Sequence, residues 1–160
     1  LLIRANKRLN AVLSEAWESR LGALPYSNSY EALTMASIIE KESASNSERG
    51  LIAAVFVTRL DLGMRLQSDP TTIYGMGDRY DGNIRRADLS EETPYNTYRI
   101  DGMPPTPIAL SGAASIAAAL NPSASDYLYF VARGDGSHQF SRTLEEHNAA
   151  VREHQLGFSN

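Results

Sequence analysis

Apolar residues return at helical spacing through residues 4–20, where Leu9, Val12, Leu13 and Trp17 share one face, and this predicts an amphipathic helix. Gly22, Pro25 and Ser27 then mark a loop. Asn28, followed three residues on by Glu31, has the form of a capping box, so a second helix is predicted from Ser29 to near Ser45. A third is predicted over Ser47 to Leu62, with Leu51, Ala54, Val55, Thr58, Arg59 and Leu62 in phase and Gly63 closing it.

From Met64 to Pro107 the helical period fades. Turn formers crowd this stretch: Asp69-Pro70, Gly75, Gly77, Asp81-Gly82, Thr93-Pro94, Asp101-Gly102 and Pro104-Pro105. Short strands fit only Arg65–Ser68 and Tyr98–Ile100. A long polar and aromatic stretch of this kind inside a compact domain points to function. Beyond it, a fourth helix is predicted from Ser111 to Leu120, stopped by Asn121-Pro122. Tyr127–Ala132 reads as a strand, Gly134-Asp135-Gly136 as a turn, and His138–Ser141 as its partner strand in a hairpin. A last helix is predicted over Thr143–Gln155. Helices and strands do not alternate as βαβ units, so the expected class is α+β: helices packed on short antiparallel strands, with a long irregular region forming a cleft.

Composition narrows the function classes. The chain has 160 residues, enough for one compact domain, and 42% are hydrophobic. A net charge of −4 argues against a dedicated nucleic-acid binder. With no cysteine, disulfides, thiolate nucleophiles and Cys-based zinc sites are all excluded. His147 and His154 lie seven apart rather than four, and no His-Glu-x-x-His occurs, so neither metal nor cofactor is expected. No stretch is long and apolar enough to span a bilayer. The start at Leu1 lacks both an initiator Met and a signal pattern, and reads as a piece of a longer protein.

The second helix carries the sharpest chemical signal. At about 100° per residue, Met35, Ile38 and Ile39 fall within roughly 60° of Glu42, whereas Glu40 lies about 160° away. A carboxyl set among Met and Ile side chains loses hydration in its charged form, so its pKa rises. Such a group is protonated near neutral pH and can give a proton to a leaving oxygen, as a glycosidase acid does. An ordinary helix-end glutamate would instead extend to solvent or find a cation. Spacing alone leaves both readings open.

Four blocks in order extend the signal. They are Ala36-Ser37-Ile38-Ile39-Glu40-Lys41-Glu42; Val55-Phe56-Val57-Thr58-Arg59-Leu60 with Met64–Thr71; Pro94–Tyr98 with Gly102–Ile108; and Leu128-Tyr129-Phe130-Val131 with His138-Gln139-Phe140 and Glu146-His147-Asn148. Together they resemble the endolytic murein transglycosylases of the MltG/YceG type over about residues 28–150. Two positions depart from that pattern. Thr58 stands where the family usually has Asn, and Ser111 where it usually has Pro; Ser111 reads as an N-cap. On this resemblance residues 1–27 are a helix and linker to a missing upstream region, and residues 28–160 are the catalytic domain.

The resemblance implies a peptidoglycan lytic transglycosylase. Its substrate is a glycan strand of alternating N-acetylglucosamine and N-acetylmuramic acid, cut internally without water to leave 1,6-anhydro ends and to stop strand elongation. One Glu of the first block is catalytic, and Glu42 is chosen for its apolar face and its Ser43 neighbour. Gln67, Ser68 and Asp69 are candidates for supporting developing charge. Tyr95, Asn96, Tyr98 and His138 are candidates for sugar contact, and Arg59 for pairing with a carboxylate. Cell-wall synthases are the implied partners, and the periplasmic face of the inner membrane the implied location, with the anchor outside this chain. The alternative is a non-catalytic peptidoglycan-binding module. A pyridoxal-phosphate lyase needs a Schiff-base lysine, and only Lys7 and Lys41 exist, with no phosphate-cradling glycine loop near either.

Overall fold

A computed structural model describes residues 2–43 and 45–156. Among them are seven α-helices and one two-stranded antiparallel sheet, the α+β class expected. The helices are α1 (Leu2–Glu18), α2 (Ser29–Glu42), α3 (Arg49–Asp61), α4 (Asp69–Met76), α5 (Arg86–Ser90), α6 (Ala113–Leu120) and α7 (Leu144–Val151); the strands are β1 (Tyr129–Ala132) and β2 (His138–Ser141).

The core forms around α2. Its Met35, Ile38 and Ile39 are fully buried with Ile52 and Phe56 of α3 and Ile116 and Leu120 of α6. Asn28 caps α2 by accepting from the Glu31 amide at 3.0 Å, and Glu31 accepts from the Ser27 amide at 2.6 Å. The predicted in-phase stripe of α3 is too narrow: Ile52 through Val57 and Arg59 are all buried, while Leu62 is 62% exposed. Gly63, with φ of 67°, ends this helix in the left-handed conformation that glycine adopts without strain.

The hairpin pairs Tyr129 with Ser141 and Ala132 with His138. It docks on α3 through an edge-to-face contact of Phe130 with Phe56, whose ring centroids lie 5.6 Å apart. Strand β1 begins two residues later than the predicted Tyr127. Helix α7 follows with a capping box between Thr143 and Glu146, then continues as a π-helical turn, Arg152–Leu156.

The middle region corrects two expectations. Neither Arg65–Ser68 nor Tyr98–Ile100 forms a strand. Gln67 has φ of 53°, which breaks an extended run, and the Arg99 and Ile100 amides turn back onto the Asn96 carbonyl. Asp69-Pro70 is a helix start and not a plain turn: Ser68 sits at the N-cap position and Pro70 in the first turn of α4, where its missing N–H costs nothing. Gly112, rather than Ser111, is the N-cap of α6.

Candidate active site

Helix α2 places Glu42 by ending on it. The chain leaves the helix at Ser43 with φ of −116° and ψ of 119°, so Glu42 is the last helical residue. The Ser68 hydroxyl donates to Oε1 of Glu42 at 2.6 Å. Oε2 has no partner among the described residues, yet it is not sealed off, and Glu42 faces a cavity of about 350 Å³. Apart from that window the carboxyl is enclosed. Burial, reinforced by the nearby charge of Asp69 and opposed by the Ser68 bond, pushes its pKa from 4.5 up to about 7.

Glu40 has a different task. Its Oε2 accepts from the Gly112 amide at 3.0 Å and from the Ser115 hydroxyl at 2.5 Å, and Arg49 lies 3.8 Å from Oε1. It sits at the positive end of α6, a favourable place for an anion. Those hydrogen bonds, first from Ser115 and then from Gly112, hold its carboxyl below the usual range. The two glutamates of one turn thus diverge as the helical wheel predicts.

The loop before α4 aims Ser68 at Glu42. The Gln67 amide donates to the Thr97 carbonyl at 3.2 Å, and the Ser68 amide donates to Thr97 Oγ1 at 2.8 Å. Arg59 fixes the same loop from the other side. Its Nη1 donates to the Arg65 carbonyl at 2.8 Å, and its Nε donates to the Leu128 carbonyl at 2.7 Å. Among the described residues Arg59 meets no carboxylate, contrary to the pairing expected of it, because backbone carbonyls take up its donors.

The candidate residues divide. Glu42, Gln67, Asp69, Tyr98 and His138 all line the cavity. Ser68 lies behind Glu42 and is 1% exposed. The Tyr98 hydroxyl donates to Asp69 Oδ1 at 2.7 Å, and burial together with Asp69 keeps that phenol protonated. Glu48 grips His138 at two points, accepting from its amide at 3.1 Å and lying 2.8 Å from its ring Nδ1.

Tyr95 and Asn96 stand apart from the cavity lining. Tyr95 bonds Thr106 at 2.7 Å and packs on Tyr74. Asn96 is buried, its amide nitrogen shared among the Asp88, Leu89 and Glu91 carbonyls and its oxygen accepting from Thr72 and the Tyr98 amide. Its hydrogen-bonding capacity is spent on the fold.

Arg59, Tyr129 and His147 also line the cavity; sequence reasoning singled out Arg59 for a pairing role only and assigned no role to Tyr129 or His147. One signal for Arg59 was present: a charged residue in phase with an apolar face. Among the described residues no group of three or more His, Asp or Glu side chains gathers as metal ligands.

An α+β domain that holds one desolvated, protonatable carboxyl in an open cavity has a group able to exchange a proton with a molecule bound there. The chain belongs to the YceG-like family, whose profile matches residues 1–153. It is 46% identical over 121 residues to an endolytic murein transglycosylase of Bacillus subtilis, a match covering 76% of this chain and 33% of that protein. A protein of the same description from Streptococcus pneumoniae serotype 2 is 38% identical over 130 residues, covering 78% of this chain and 23% of the relative. The crystal structure of a YceG-like protein from Listeria monocytogenes aligns with a TM-score of 0.69 at 50% identity, over 76% of this chain and 38% of that one. The chain therefore spans about a third or less of the curated relatives it matches.

Proposed function

We propose that this domain is a lytic transglycosylase that cleaves peptidoglycan glycan strands internally, with Glu42 as its single acid and base. The observation that carries the reading is the Glu42 carboxyl. Its pKa near 7 keeps a large protonated fraction at neutral pH, and its unbonded oxygen opens on the cavity.

In the first step Glu42 gives its proton to the glycosidic oxygen between N-acetylmuramic acid and N-acetylglucosamine. The C1–O bond breaks, and positive charge spreads over C1 and the ring oxygen. Glu42, now a carboxylate stabilised by the Ser68 hydrogen bond, takes the proton from the C6 hydroxyl of the same muramic residue as that oxygen bonds to C1. The product end is a 1,6-anhydro sugar, no water is consumed, and Glu42 returns to its starting form. Asp69, with one oxygen held by Tyr98, sets a negative charge beside the cavity where the oxocarbenium-like state develops. Gln67 and His138 are the proposed sugar contacts. The same reading sets the reaction at the periplasmic face of the inner membrane, beside the synthases whose nascent strands it terminates.

The test is mass spectrometry of glycan strands incubated with the chain and with Glu42→Gln. Internal fragments ending in anhydro sugars, formed by the first and not by the second, are expected. Fragments gaining water would indicate a hydrolase. Binding without cleavage by the unsubstituted chain would favour a carbohydrate-binding module.

A further inference from the structure

In the cavity that Glu42 lines, two nitrogen groups have hydrogen-bonding capacity that the described residues do not use. His147 of α7 lines the cavity, and neither ring nitrogen has a partner among the described residues; Nδ1 is enclosed, which leaves Nε2 as the nitrogen open to the cavity. Its ring stacks on Tyr129 with centroids 5.1 Å apart and planes at 22°. The Arg59 guanidinium lies over the same Tyr129 ring, 4.9 Å from its centroid. The hydrogen bonds of Arg59 use Nε and Nη1, which leaves Nη2 unbonded among the described residues and not sealed from the cavity.

Polar atoms in folded proteins are almost always paired, and unpaired donors that line a cavity are free to meet a group from outside. A guanidinium is solely a donor, and a neutral imidazole can donate from either nitrogen. Burial and the neighbouring Arg59 charge both disfavour the imidazolium, so His147 is a neutral donor here. Two donors anchored on one aromatic ring line the same cavity.

We propose that Arg59 and His147 form a subsite for a carbonyl-bearing substituent of the sugar ring held beside Glu42. Two such groups occur on the proposed substrate, the acetamido carbonyl and the carboxyl end of the lactyl ether. This inference rests on the transglycosylase reading and adds to it a contact specific to a carbonyl-bearing substituent. Tyr129 holds both donors in place, so the subsite stands ready before substrate enters.

The test measures glycan binding by calorimetry in the Glu42→Gln chain, where cleavage does not intervene. His147→Phe keeps the stacking partner for Tyr129 and removes both ring nitrogens. It is expected to weaken binding of an N-acetylated glycan oligomer about tenfold, the effect of losing one buried hydrogen bond. With a de-N-acetylated oligomer the substitution causes no further loss if the acetamido carbonyl is the partner. With the lactyl carboxyl reduced to an alcohol it causes none if that group is. Equal affinity of the two proteins for every oligomer overturns the proposal.

A second measurement covers the case of a poorly folded variant. In the chain retaining His147, the imidazole ¹⁵N resonances of that residue should shift on adding the N-acetylated oligomer, and unshifted resonances at saturation overturn the proposal. If the Glu42→Gln chain binds no glycan at all, the transglycosylase reading itself fails, a result distinct from failure of the subsite.

Discussion

Glu42→Gln should make the protein more stable at alkaline pH while abolishing cleavage. The carboxyl pKa rises from 4.5 to about 7 on folding, which means that the ionised form is disfavoured in the native state by about 3 kcal/mol. Between those two values the folded chain retains a proton that the unfolded chain has lost, so stability falls as pH rises. The native state carries none of this cost below pH 4.5 and nearly all of it above pH 7. Glutamine has no charge to desolvate, and its amide oxygen can still accept from Ser68. Urea unfolding of both proteins at pH 4.5 and pH 8 measures the difference. The variant should gain about 2–3 kcal/mol at pH 8 and almost nothing at pH 4.5. A variant no more stable than the parent at pH 8, or equally stabilised at both pH values, would refute the claim that position 42 is a desolvated acid.

Ser68→Ala removes the hydroxyl that favours the Glu42 carboxylate. The alkaline limb of the cleavage pH–rate profile should therefore move to higher pH, and a move to lower pH would contradict the assigned hydrogen bond. Glu40→Gln takes an anion from the N-terminus of α6, and thermal unfolding should show a loss of about 1 kcal/mol with cleavage retained; loss of cleavage here with its survival in Glu42→Gln would exchange the two roles. Asn96→Ala strands three backbone carbonyls, so denaturant unfolding should register a loss of about 2–4 kcal/mol; a change in substrate affinity with no change in stability would restore Asn96 as a ligand contact.

What was legible in the sequence followed periodicity and local chemistry. Helical spacing separated Glu42 from Glu40, and the coordinates place one at a cavity and the other on the end of α6. The hairpin was readable because its turn chemistry and strand pattern all lie close together, within residues 127–141. Helix α4 was missed because Asp-Pro commonly marks a turn, although Ser68-Asp69-Pro70 also satisfies the rules for a helix start. Long-range pairing left no local trace. Asn96 has the composition of a ligand contact, but three carbonyls from Asp88 to Glu91 claim its amide. The burial of His147 depends on α7 folding back over β1, a packing that no local pattern encodes.

Burial does most to set the acidity of Glu42, and one loop then adjusts it. Ser68 and Asp69 are adjacent, yet they act on the carboxyl in opposite directions: the hydroxyl favours its charged form and the aspartate its neutral one. Their balance depends on the turn at Gln67, whose left-handed backbone costs a non-glycine residue on the order of 1 kcal/mol. That turn persists because hydrogen bonds outside the reacting groups hold it. Thr97 secures the amides of Gln67 and Ser68, while Arg59 secures the Arg65 carbonyl and ties it to Leu128 at the hairpin. An acid that must give a proton and take it back needs a pKa near the working pH, and here burial raises that value while a loop held by Arg59 and Thr97 adjusts it. Arg59 thus links two properties of the site. The guanidinium that positions the loop also leaves Nη2 unbonded among the described residues, in the lining of the cavity that Glu42 faces.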